Sequence, residues 1–100
     1  MFKPMDCKNM NDIRDAIDNI DENIVKLISK RAKYVHKASE FKKDEIAVQD
    51  TKRVKAVIAS KKELAKKYGV SSTLIETLYA NMIEHFINEE MEEWKKKDKK

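Results

Sequence analysis

Apolar residues recur along the first forty positions at intervals of three and four. One series is Met10, Ile17, Ile24, Arg31 and Ala38; the other is Ile13, Ile20, Leu27, Tyr34 and Phe41. A seven-residue repeat of this kind is the seam of a long amphipathic helix that packs against another helix. It predicts a first helix from about Asn11 to about Phe41 or Lys43, with Asn9 or Asn11 as its cap and Asp12 and Asp15 in its first turn. The polar stretch Lys43 to Gln49 ends it. Asp50 or Thr51 then caps a second helix carrying Val54, Val57, Ile58, Leu64, Ala65 and Tyr68, and Gly69 stands where a C-terminal cap belongs. Ser71 or Ser72 opens a third helix, with Thr73 and Glu76 as an alternative capping box. Its stripe is Leu74, Ile75, Leu78, Tyr79, Met82, Ile83, Phe86, Glu90 and Trp94. No alternating strand pattern persists, and one Gly and one Pro in 100 residues leave only short connections. The expected fold is all-α, a three-helix protomer forming a single domain over residues 1–100.

Length bears on assembly. A helix of about 31 residues is roughly 46 Å long, whereas a compact chain of this size is roughly 35 Å across. Two shorter helices cannot cover such a seam throughout. A second copy of the chain is the economical cover, so an intertwined two-fold homodimer is expected.

Charge changes the picture little. The net charge is +4, but residues 95–100 hold five lysines and one aspartate, leaving 17 basic against 17 acidic residues elsewhere. That run reads as a solubilising basic tail. No aromatic residues interleave with it and no zinc-finger or helix-turn-helix spacing appears, which argues against nucleic-acid binding. Cys7 stands alone, so there is neither a disulfide framework nor metal-ligand spacing. The N-terminus lacks an apolar signal region, and no stretch is long enough to span a bilayer. The chain reads as cytoplasmic, with no membrane partner.

Two residues break the apolar pattern. Arg31 occupies a seam position, where an unpaired guanidinium would cost several kcal/mol, roughly, unless the protein or a ligand supplies an anion. Lys42 follows it by eleven residues, about three turns and about 16 Å, so the two project from one face toward a common small diacid. Arg14 is seventeen residues from Arg31, about 25 Å, and reaches the same ligand only from the other chain of an antiparallel dimer. Arg53, one turn after Asp50, adds a further cation. Glu90 is the mirror anomaly, a carboxyl on the stripe between Phe86 and Trp94. It is either the intramolecular partner of these cations or a neutral acid that donates a hydrogen bond. One carboxylate against several cations leaves excess positive charge, which asks for an anionic ligand such as a dicarboxylate. The alternative from another class is a non-catalytic helical dimerisation module whose charges merely set register.

The order Asp12-Ile13-Arg14, Ile17-Asp18, Ile20-Asp21, Lys30-Arg31, Lys42, Arg53 and Glu90 resembles the all-helical chorismate mutase family. Pro4, Asp6-Cys7, Ala16-Ile17-Asp18, Ala38-Ser39 and Phe41-Lys42 look most like its isochorismate pyruvate lyase branch. The resemblance implies a dimer through the first helix with two active sites, each borrowing an arginine that corresponds to Arg14. It implies that Arg14 and Arg31 bind the substrate carboxylates, and that Lys42 and Glu90 contact the ether oxygen of the breaking bond. Arg53 and Asp50 would line the pocket toward a carboxylate and the ring hydroxyl. It implies chorismate to prephenate, or isochorismate to salicylate and pyruvate, with no cofactor and no metal. Glu90 stands where many bacterial mutases carry Gln, and Val54 where many carry Glu. Phe86 occupies a spot where a small polar residue is common. The histidines, His36 and His85, read as surface or packing residues.

Overall fold

The computed structural model describes residues 3–41 and 50–98. Among them are three α-helices and one short 3-10 turn, with no strand: the turn at Pro4–Asp6, α1 at Met10–Ser39, α2 at Thr51–Lys67 and α3 at Ser72–Asp98. The all-α expectation holds. The chain divides into two compact units, Met1–Tyr34 and Val35–Lys100.

The first unit is the 3-10 turn and most of α1. Asn9 is the cap of α1: its side chain accepts from the Asp12 N–H at 2.9 Å, and the Asp12 carboxylate accepts from the Lys8 N–H at 3.0 Å. Each side chain thus satisfies a backbone donor that the helix start leaves without a partner. The predicted seam is largely bare within the chain. Along the seam the exposure of Ile13, Ile17, Ile20, Ile24 and Leu27 runs from 39% at Ile13 to 64% at Leu27, and Tyr34 is exposed as well.

In the second unit, the last turns of α1 join α2 and α3. α2 and α3 pack on one another as a helical hairpin. Its turn is built by local hydrogen bonds: the Gly69 N–H donates to the Lys66 carbonyl at 3.3 Å and the Val70 N–H to the Ala65 carbonyl at 2.8 Å. That pairing closes a helix end when the residue after the cap is left-handed, and Gly69 has φ of 70°. Ser71 takes up the next helix, its hydroxyl accepting from the Leu74 N–H at 3.2 Å. Glu76 serves no capping box. It bridges instead to Lys62 of α2 at 3.2 Å. Val54, Val57 and Ile58 of α2 and Ile75, Met82, Ile83 and Phe86 of α3 are half-buried, and Ala65 is buried.

α1 ends two residues before the earlier expected limit, with Glu40 and Phe41 turning through i to i+3 bonds from their N–H groups to the Lys37 and Ala38 carbonyls. The expectation that it reaches Lys43 falls outside the described residues. α3 runs past Trp94 to Asp98, so the first lysines of the basic run sit on the helix, where they complement its negative end. Among the described residues, no helix is long and apolar enough to cross a membrane.

A Cβ at Gly69 would touch nothing within 4 Å, so only backbone strain opposes substitution there. Gly69→Ala is expected to cost about 1–2 kcal/mol, and Gly69→Asn less, as read from urea unfolding midpoints.

Candidate functional site

Glu90 is the residue around which a site is built. It is 4% exposed, and it shares full burial with Ala65 alone among the described residues. A carboxyl removed from water this far must be met by hydrogen bonds or charge, and among the described residues no buried side-chain nitrogen or oxygen lacks a partner. Phe86, one turn earlier on α3, and its neighbour Ile87 are half-buried.

The hairpin register carries α2 to the same level. Lys61 lies over the Tyr79 ring, 6.0 Å from its centroid, and Lys62 pairs with Glu76 on the same stretch. Asp50 is eleven residues before Lys61 and Glu90 eleven after Tyr79, each about 16 Å of helix. The start of α2 therefore stands level with Glu90. Asp50 is the cap of α2, its carboxylate accepting from the Arg53 N–H at 3.2 Å and its carbonyl from the Val54 N–H at 3.1 Å. This fixes the first turn, from which the exposed Arg53 side chain projects.

Arg14 and Arg31 both lie on α1, Arg14 exposed and Arg31 half-buried. One straight helix cannot bring them together, since seventeen residues are about 25 Å. Lys42 lies outside the described residues. The structure thus joins Asp50 with Arg53, sets both level with Glu90, and keeps Arg14 apart from Arg31.

A cluster that sequence reasoning passed over sits beside Glu90. His36, near the end of α1, has its ring nitrogens 4.0 Å from Glu89 and 3.8 Å from Glu93, and His85 is 2.9 Å from Glu89. When protonated, His36 ties the last turns of α1 to α3. The half-exposed pairs are worth no more than about 1 kcal/mol each. The one local signal was the four-residue spacing of His85, Glu89 and Glu93; the partnership with His36 is tertiary. Among the described residues, no three His, Cys, Asp or Glu side chains are grouped to hold a metal.

Comparison with known proteins decides the family. The sequence pattern of chorismate mutase type II matches residues 13–91. The chain belongs to the type II chorismate mutase family. It is 37% identical to the isochorismate pyruvate lyase of Pseudomonas aeruginosa over 95 residues, covering 95% of this chain and 94% of that protein. It is also 36% identical over 75 residues to the bifunctional chorismate mutase/prephenate dehydratase of Buchnera aphidicola subsp. Acyrthosiphon pisum, covering 74% of this chain but 20% of that protein. The corresponding protein of Buchnera aphidicola subsp. Schizaphis graminum is 35% identical over the same share. As a chorismate mutase family member the chain is an enzyme of this type, and the resemblance read from Arg14, Arg31, Arg53 and Glu90 is borne out at the level of the family.

Asp50 has two separable duties, capping α2 and presenting a carboxylate. Asp50→Asn keeps the cap, so its thermal unfolding should match the parent. Asp50→Ala should lose about 1 kcal/mol of stability.

Proposed function

We propose that the chain is a homodimeric, cofactor-free catalyst of pericyclic chemistry on chorismate-type dicarboxylates. Each site draws Arg31, Lys42, Asp50, Arg53 and Glu90 from one chain and Arg14 from the other. The observation that carries this reading is the buried carboxyl of Glu90 level with the start of α2, in a member of the chorismate mutase family.

Rearrangement of chorismate to prephenate breaks the ether C–O bond and forms a C–C bond. Elimination from isochorismate breaks the same kind of bond, moves a ring hydrogen to the departing enolpyruvyl group, and leaves salicylate and pyruvate. Both need a flexible diacid folded into its reactive shape and negative charge stabilised on the ether oxygen as it leaves. Arg14 and Arg31 hold the carboxylates; Lys42 and the neutral acid of Glu90 face the ether oxygen. Arg53 and Asp50 line the remaining wall, against a carboxylate and the ring hydroxyl. The mutase reaction is the broader reading. The lyase reaction is favoured as the main activity by one observation: the isochorismate pyruvate lyase relative matches this chain almost end to end. Val54 and Phe86, apolar where many mutases are polar, support the same reading.

The dimer is supported by the bare seam of α1 and by the distance between Arg14 and Arg31. Arg14→Ala and Arg31→Ala should each abolish turnover. Mixing them with subunit exchange should restore up to about a quarter of parental activity per chain, because half the dimers then carry one intact site. Absence of recovery after demonstrated exchange would remove the shared arginine.

Glu90 serves as a hydrogen-bond donor to the departing ether oxygen, since an ionised carboxylate would repel the charge developing there. Glu90→Gln keeps a donor and should retain turnover, whereas Glu90→Ala should lose on the order of 3 kcal/mol of transition-state stabilisation, about a hundredfold or more in kcat/KM. The measurement is kcat/KM of both variants, with chorismate and isochorismate assayed separately. The ratio between substrates names the main reaction, and a Glu90→Ala rate within a few-fold of the parent removes Glu90 from the site.

A further inference from the structure

Glu90 shares one turn of α3 with Glu89 and Glu93, and a single side chain from α1 spans that turn. The His36 ring sets Nε2 4.0 Å from Glu89 Oε2 and Nδ1 3.8 Å from Glu93 Oε2. Glu89 is held on its other oxygen as well, with His85 Nε2 2.9 Å from Oε1. The His85 ring in turn stands edge-on to Phe86, with 5.4 Å between centroids and 79° between planes. Contacts therefore run from the last turns of α1 through Glu89 and His85 to Phe86, which lies one turn from Glu90.

Half-exposed ion pairs are ordinarily of little consequence, but the packing around this one is thin. α1 contributes no fully buried side chain, and from Val35 onward only Val35 and Ser39 are half-buried. Without a buried apolar side chain to lock α1 on α3, polar contacts take a larger share in fixing how the two meet. Glu89 and Glu93 stand at four-residue spacing, where like charges repel. An imidazolium donates from both of its nitrogens, so one ring answers both carboxylates at once. The neighbouring Lys37 is engaged by Glu40 at 2.7 Å. The backbone of His36 is fastened too: the Ser39 hydroxyl donates to its carbonyl at 2.6 Å. Ring and backbone are thus both held.

We propose that His36 is a positioning residue for Glu90. It acts without touching substrate: by clasping Glu89 and Glu93 it fixes the turn of α3 between them, and with it the direction in which the Glu90 carboxyl is presented. The proposal rests on Glu90 donating to the departing ether oxygen, and adds the group that aims it. The charge on that oxygen develops only in the transition state. A misaimed donor therefore leaves substrate binding nearly intact and slows the chemical step. The role calls for a cation at this position, and imidazole as such is dispensable.

Steady-state kinetics on chorismate and isochorismate at about pH 6, toward the acid end of the range in which imidazole gains its charge, provide the test. His36→Ala should lower kcat about fivefold and leave KM within about twofold, the scale that two half-exposed ion pairs allow. His36→Lys keeps a cation at the position and should restore at least about half of the parental kcat, whereas His36→Gln should not. Glu89→Gln/Glu93→Gln breaks the same contacts from α3 and should match His36→Ala, so a His36 variant that failed to fold would leave the question decided. A double-mutant cycle separates aiming from bulk structure. With Glu90 already removed in Glu90→Ala, adding His36→Ala should cost less than about twofold more, because no donor is left to aim. The same loss in both backgrounds would mark His36 as merely structural and overturn the proposal. So would a parental kcat in His36→Ala, a loss confined to KM, or a failure of lysine to rescue. Glu90→Ala turning over as the parent does would instead remove Glu90 from the site, and the functional reading with it.

Discussion

A thirty-residue helix with apolar side chains at every third or fourth position cannot leave them all in water. Each buried methylene is worth about 0.8 kcal/mol, and α1 exposes a row of isoleucines with Leu27 and Tyr34 along about 32 Å. Within the chain only Ala65 and Glu90 are buried among the described residues. That is a thin interior for the described residues, and small chains that cannot close a core alone recruit one by association. The chemistry proposed above draws on the same shortage, because a site spread between Arg14 and Arg31 exists only where two chains meet.

The buried carboxyl is the second constraint. Evolution could have placed leucine on the α3 stripe between Phe86 and Trp94, with gain in stability, since burying an ionisable group costs free energy that a hydrocarbon does not. A residue that weakens packing and sits level with the capped, cation-bearing start of α2 is what the proposed chemistry calls for. Placing it there requires only helix, cap and turn.

What the sequence made legible was local. Asn9, Asp50, Gly69 and Ser71 stand at helix ends in conformations that their side chains, or the lack of one, prefer, so spacing narrowed each helix end to one or two residues and the hydrogen bonds chose among them. Glu90 was legible as a charge on an apolar stripe, and Arg31 as a charge on the seam. Partnerships across space were not. Glu76 fitted a capping box as well as it fitted Lys62, and the choice fell to the helix packed beside it once Ser71 had taken the cap. His36 gave no sign that it would meet Glu89 and Glu93, because nothing along α1 records what α3 presents. The last turn of α1 was overrun by two residues for a related reason: Glu40 and Phe41 keep the helical rhythm while their backbone has already tightened. For Arg14, the chain fixes a position about 25 Å from Arg31 along α1, and the partner proposed for it lies in a second molecule.

The hairpin turn looks like the most dispensable part of the protein, an exposed bend remote from the chemistry. Exposed bends of this kind ordinarily tolerate insertions and deletions. Here the turn acts as a ruler. Glu90 stands level with Asp50 only because equal counts of residues separate each from the Lys61–Tyr79 contact. A residue added between Gly69 and Ser71 must either be absorbed in the bend or slip α3 against α2, and a slip of one residue moves a side chain about 1.5 Å along the axis and about 100° around it, carrying the carboxyl off its face. Length variation in this family should accordingly be tolerated at the two chain ends before it is tolerated at this bend, however solvent-washed the bend is.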